Sequence, residues 1–158
     1  MIGSTAADAT VLAAHATFLV ASLALIRIDI REHRLPDAIV LPAGLAVAAL
    51  FGLAAALTGH TASLGRAACG GLALFTVYLT LRALHPAGLG GGDVKLAALL
   101  GLVLGWHGWA PLAAGAAAGF VLGGAAAVVL LALGRVGRDT HLAFGPWMIL
   151  GAWAGLLA

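Results

Sequence analysis

The chain alternates long apolar runs with short charged segments. A helix that crosses a bilayer needs about 20 mostly apolar residues. Six runs approach that length: 10–28, 38–57, 67–84, 94–110, 111–133 and 142–158. The fourth is the weakest, because its uninterrupted apolar stretch runs only from Leu96 to Trp106, and the sixth is close to the minimum. Pro111 marks the turn between the fourth and fifth, since the residue before a proline is pushed away from helix. The pattern predicts an all-α, polytopic membrane protein of about six transmembrane helices, forming a single domain over residues 1–158.

The polar positions orient these helices. The segments 29–37, 85–93 and 134–141, with the helix ends beside them, carry Arg27, Arg31, Arg34, Arg82, Lys95, Arg135 and Arg138. The opposite side carries only Arg66. Cytoplasmic loops are enriched in Lys and Arg, so these three segments are expected in the cytoplasm and both termini outside. Trp106 and Trp109 then fall at the outer interface, where aromatic residues collect. Residues 1 to 9 hold Asp8 and no Lys or Arg, which fits a retained helix and not a cleaved leader with its positive start.

Composition agrees. The chain is 63% hydrophobic and 9% charged, whereas soluble domains hold about 25% charged residues. No basic stripe exists for nucleic acid. Cys69 is the only cysteine, so neither an internal disulfide nor a cysteine zinc site can form, and it is expected to pack inside a helix. Gly115, Gly119 and Gly123 recur every four residues, and Gly101 and Gly105 share that spacing. Such small-residue ridges let helix backbones approach closely in lipid.

Chemistry is sought among the six acidic residues, because a carboxylate in or beside lipid is costly. Asp8 belongs to the terminal tail, and Glu32, Asp37 and Asp139 to charged loops where solvation or loose ion pairing suffices. Asp29 closes the first apolar run and Asp93 opens the fourth, on the same side and at the same depth. Two helices packed side by side would bring them together. Two carboxylates on one water share a proton, because like charges this close cannot both persist. The ionised one takes a proton from the water, which attacks a peptide carbonyl, while the protonated one hydrogen-bonds the carbonyl oxygen. Gly90, Gly91 and Gly92 precede Asp93 and allow a substrate backbone to approach. Taken singly, each feature has a plainer explanation. The glycines form a flexible turn, Asp93 caps its helix, and Asp29 pairs with Arg31 or Arg34.

The string Gly90-Gly91-Gly92-Asp93-Val94-Lys95-Leu96 resembles the Gly-x-Gly-Asp motif of the type IV prepilin peptidases. Asp29-Ile30-Arg31-Glu32-His33-Arg34-Leu35-Pro36-Asp37 is similar to that family's first motif, an Asp ending one helix and Leu-Pro-Asp opening the next. Phe144-Gly145-Pro146-Trp147, followed by Leu150-Gly151, resembles the stretch entering its last helix. The resemblance implies that Asp29 and Asp93 are the catalytic pair of an aspartyl endopeptidase in the inner (plasma) membrane. Gly90, Gly91, Gly92, Phe144, Gly145 and Pro146 become the candidate substrate-binding residues. It also implies a prepilin or pilin-like substrate with a short basic leader, cut at the cytoplasmic face. No metal or organic cofactor is expected. About nine residues precede the first helix and no paired cysteines are present, as in the short form associated with tight-adherence pili; N-methylation is therefore not expected. Asp37 is expected to cap the second helix.

Other polar residues are assigned bland roles. His33, His85 and His141 lie on separate loops without metal-ligand spacing. His60 and His107 lie on the outer side, and His15, within the first helix, is expected to hydrogen-bond a neighbouring helix. Tyr78 is expected to pack. A small transporter or channel subunit, with the aspartates binding a cation or proton, is the alternative; its acids belong near the bilayer midplane.

Overall fold

The computed structural model describes residues 2–85, 89–134 and 143–158. Arg135, Arg138, Asp139 and His141 lie outside these described residues, so the reading of that charged loop is not addressed by the fold. The described residues form six helices: α1 (Ile2–Glu32), α2 (Asp37–Thr58), α3 (Thr61–Leu84), α4 (Gly91–His107), α5 (Trp109–Ala132) and α6 (Gly145–Leu157). No strand occurs among them. Four of the helices, α1, α2, α3 and α5, are long and apolar enough to cross a membrane, while α4 and α6 are shorter. The chain is an all-α, multi-pass membrane protein, and large apolar side chains such as Leu12, Leu45 and Leu72 cover its outside.

The short fourth helix occupies the centre. Ten of its 17 residues are buried, and it packs against α2, α3, α5 and α6. A helix that is apolar on every side is satisfied there by protein, so it need not present a lipid-facing stripe. α1 lies against α2 and α6 and meets α4 mainly through side chains. The side-by-side packing of the first and fourth helices expected from sequence is thus replaced by packing through their shared neighbours.

Glycines decide how closely the helices approach. α3 crosses α4 with Gly70 and Gly71 against Gly101 and Gly105, and a Cβ on Gly101 would overlap the Gly70 carbonyl. α5 crosses α6 with Gly115 and Gly119 against Gly151 and Gly155. Both ridges read from the sequence therefore sit in helix contacts.

Several local expectations are corrected. The turn between α4 and α5 is made at Gly108, whose φ of 154° suits glycine, and not at Pro111. Pro111 lies in the first turn of α5, where its missing N–H would have no helical partner anyway. Asp37 does not cap α2: Pro36 occupies the cap position without a side-chain bond, and Asp37 instead pairs with Lys95 of α4 at 2.5 Å. Cys69 is exposed on the surface of α3 and not packed inside. Tyr78 packs as expected, against the rings of Phe120 and Phe144. His15 does bond a neighbouring helix, through His107 of α4.

Candidate active site

Asp29 lies in the last turn of α1 and is 4% exposed. Its Oδ2 accepts the backbone N–H of Gly145 at 3.1 Å, across the start of α6. That amide is free to donate because the first N–H groups of a helix have no partner within it. A Cβ on residue 145 would stand 2.6 Å from the same oxygen, so only glycine lets the carboxylate reach the amide. Among the described residues neither Arg31 nor Arg34 forms an ion pair with Asp29, and both are exposed.

Asp93 is the third residue of α4 and is buried. It is not the cap residue itself. Gly90 holds the cap position, and Oδ2 of Asp93 reaches back to accept the Gly90 N–H at 2.8 Å. This is the acidic half of a capping box. Each aspartate thus has one oxygen tied to a backbone amide, and no hydrogen bond within the protein holds its other oxygen among the described residues.

Both carboxylates line a single cavity of about 230 Å³ with His33, Arg34, Leu35, Gly90, Gly91 and Gly92. The three glycines expected beside the dyad therefore lie in its wall. Phe144, Gly145 and Pro146 do not line it. Phe144 packs against Tyr78 and Phe120, Gly145 holds Asp29, and Pro146 is buried in the first turn of α6. All three therefore lie outside the cavity wall, and only Gly145 is hydrogen-bonded to one of the aspartates.

Leu35, which carries no chemical signal in the sequence, wedges the site together. A Cβ on Gly92 would stand 2.6 Å from the Leu35 Cβ, and one on Gly145 would stand 3.2 Å from its Cδ2. The same side chain thus separates the start of α4 from the start of α6. His33 is exposed, as expected of a loop histidine, yet it also shapes the site. It ends α1 in the left-handed region, φ 51°, with its N–H donating to the Asp29 carbonyl at 2.9 Å. That turn swings Arg34 and Leu35 towards the cavity. Arg82, at the end of α3, lays its guanidinium against Gly91. Nothing in its sequence context separates it from an ordinary loop-flanking cation. Among the described residues no group of three or more His, Cys, Asp or Glu side chains is arranged to hold a metal.

The chain is similar to known proteins over most of its length. The profile of the type IV leader peptidase family matches residues 16–158. The chain is 35% identical over 139 residues to a prepilin leader peptidase/N-methyltransferase of Stutzerimonas stutzeri, covering 85% of this chain and 46% of that protein. It is 38% identical over 140 residues to the protein of the same description from Pseudomonas putida, covering 85% and 46%. The corresponding Escherichia coli K12 protein is 34% identical over 132 residues, covering 82% and 56%. The chain thus spans about half the length of the curated relatives it matches. No solved structure matches it significantly. With the family profile covering residues 16–158, nearly the whole chain, this protein belongs to the type IV leader peptidase family.

Proposed function

We propose that this chain is a membrane aspartyl endopeptidase that removes the basic leader from prepilin-type substrates, with Asp29 and Asp93 as its catalytic pair. The observation that carries the reading is the shared cavity: two buried carboxylates, from helices distant in sequence, line one water-accommodating space. Each has an oxygen fixed by a backbone N–H, which leaves the other to address a water or a substrate carbonyl.

The two carboxyl groups share one proton, because two like charges facing one small cavity repel. The ionised group takes a proton from a water held between them, and the water oxygen bonds to the scissile carbonyl carbon. The protonated group donates to the carbonyl oxygen as negative charge develops there. Collapse of the tetrahedral intermediate breaks the C–N bond, and the new amine leaves with a proton from the dyad. Gly90 to Gly92 give an extended substrate backbone room to reach the carboxylates. Gly145 supports the pair by fixing Asp29 through its backbone N–H, and Phe144 and Pro146 flank it outside the cavity.

Orientation fits this reading. The Lys and Arg bias supports a dyad at the cytoplasmic face of the inner membrane, where a basic leader would be presented. Both aspartates are near helix ends beside an open cavity, whereas a transporter's acids belong near the bilayer midplane. The test is a processing assay, with the chain co-expressed with a prepilin-type protein. Wild type is expected to shorten the substrate, and neither Asp29→Asn nor Asp93→Asn should do so at equal membrane levels. Normal processing by both variants would remove the dyad from the mechanism.

A further inference from the structure

A polar contact joins the two helices that carry the aspartates, far from the aspartates themselves. His15 of α1 and His107 of α4 meet through their Nε2 atoms at 2.8 Å. The helices run in opposite directions, and each histidine lies fourteen residues from the aspartate on its own helix, 29 to 15 and 93 to 107. At 1.5 Å per residue that is roughly 21 Å on both. The cavity shared by Asp29 and Asp93 and the His15–His107 bond thus mark the two ends of α1 and α4, helices that do not otherwise pack side by side. Little else joins α1 directly to α4, since both are held mainly through other helices.

The protons of this contact are constrained. Nδ1 of His15 lies 2.7 Å from the Val11 carbonyl oxygen. A carbonyl only accepts, so Nδ1 carries a proton. With His15 neutral, its Nε2 accepts and His107 Nε2–H donates. One additional proton leaves the bond intact, because it adds to Nδ1 of His107, whose Nε2–H still donates to a neutral His15. When both rings are protonated each Nε2 bears a hydrogen, and the bond becomes a clash of two donors. The rings have surroundings that keep them in register: Phe51 meets His15 edge-on with centroids 6.0 Å apart, and Phe51 stacks on Trp106 at 4.4 Å.

Solvent can reach this end of the bundle. A cavity of about 450 Å³ is lined by Asp8, Val11, His15, Thr58, His60 and Trp106, among others. The ionisable groups here are Asp8 from α1, His60 from the α2–α3 turn and Arg66 from α3, whose guanidinium donates to the carbonyls of Gly105 and Trp106. Helices α5 and α6 contribute no charged side chain.

We propose that His15 and His107 are positioning residues: a proton-sensitive clasp that fixes α1 against α4 at the far end and so holds Asp29 and Asp93 in register. Protonation of both rings, from the side opposite the dyad, opens the clasp. The consequence for cleavage rests on the proteolytic reading above; the clasp itself does not.

The experiment uses proteoliposomes with the dyad end outward and a prepilin-type substrate in the same membrane. The external buffer stays near about pH 7.5 and the lumen is set near about pH 7.5 or about pH 5, the range in which histidine titrates. Wild type is expected to cleave about fivefold more slowly with an acid lumen, the population change that one neutral hydrogen bond supports. His107→Gln keeps an amide N–H for Nε2 of His15 but takes up no proton. It should cleave like wild type at neutral lumen and lose the dependence on lumen pH. Equal wild-type rates at the two lumen values, or a His107→Gln protein as acid-sensitive as wild type, would overturn the proposal. Nitrogen-15 NMR of histidine-labelled protein reads the clasp without any cleavage. Scalar coupling across the bond at neutral pH, lost in acid, supports it, and no coupling at neutral pH overturns it whatever the protease assay gives. If the Asn variants of the dyad cleave like wild type, only the proteolytic reading fails.

Discussion

The amide of Gly145 donates to the carboxylate of Asp29 at 3.1 Å, joining residues 116 positions apart. This contact ties the end of the first helix to the start of the last. It also explains why a glycine stands at a position that makes no contact with the cavity.

Gly145→Ala tests that contact. The new Cβ would stand 2.6 Å from Oδ2 of Asp29 and 3.3 Å from its Cγ, so the carboxylate must move. A displacement near 1 Å at a reacting group costs on the order of 10²-fold in rate. Substrate processing should fall by about that factor while membrane level and thermal unfolding in detergent stay close to wild type. Processing at the wild-type rate would show that the Gly145 contact does not set the position of Asp29.

The three glycines before Asp93 should not respond alike. A Cβ at residue 92 meets Leu35 Cβ at 2.6 Å and its backbone oxygen at 3.1 Å, so the whole 33–36 segment must shift. At residue 91 the obstacle is the Arg82 guanidinium, the far end of a flexible side chain that can swing away. Gly92→Ala is therefore expected to lose processing far more than Gly91→Ala, measured with the same substrate at matched protein levels. The reverse order would show that the Arg82 contact, and not the Leu35 wedge, shapes the loop.

Helix crossing gives a stability prediction. Gly101→Ala drives a methyl into the backbone of Gly70 and Gly71, and overpacking of this kind costs about 1–3 kcal/mol. Gly124 lies in α5, where an added methyl group would meet nothing within 4 Å. Gly124→Ala should instead stabilise by about 0.5–1 kcal/mol, through helix propensity alone. Thermal unfolding in one detergent resolves the opposite signs.

The ion pair between Lys95 and Asp37 is half exposed. Exposed pairs contribute about 0–1 kcal/mol and weaken with salt. Lys95→Met is expected to shift unfolding slightly in low salt and by less in high salt. A large, salt-independent loss would mean that the lysine supports the fold by packing and not by charge.

What was legible in the sequence follows from lipid as a solvent. A bilayer demands long apolar helices and penalises stray charge, so the six runs, the small-residue ridges and the exceptional position of Asp29 and Asp93 can all be read along the chain. The Gly-Gly-Gly-Asp and Leu-Pro-Asp strings likewise carry their resemblance in consecutive residues. Which helix lies in the middle could not be read this way. α4 has a weak span pattern because its neighbours, and not lipid, surround it, and only packing reveals that. The same holds for the support around the dyad. Leu35, Gly145 and Arg82 matter through contacts between helices remote in sequence, and the His15–His107 bond joins two positions that sequence spacing leaves unrelated. Local solvent preference set the helices and marked the acids; the close approach of glycine backbones in three dimensions decided which side chains would meet them.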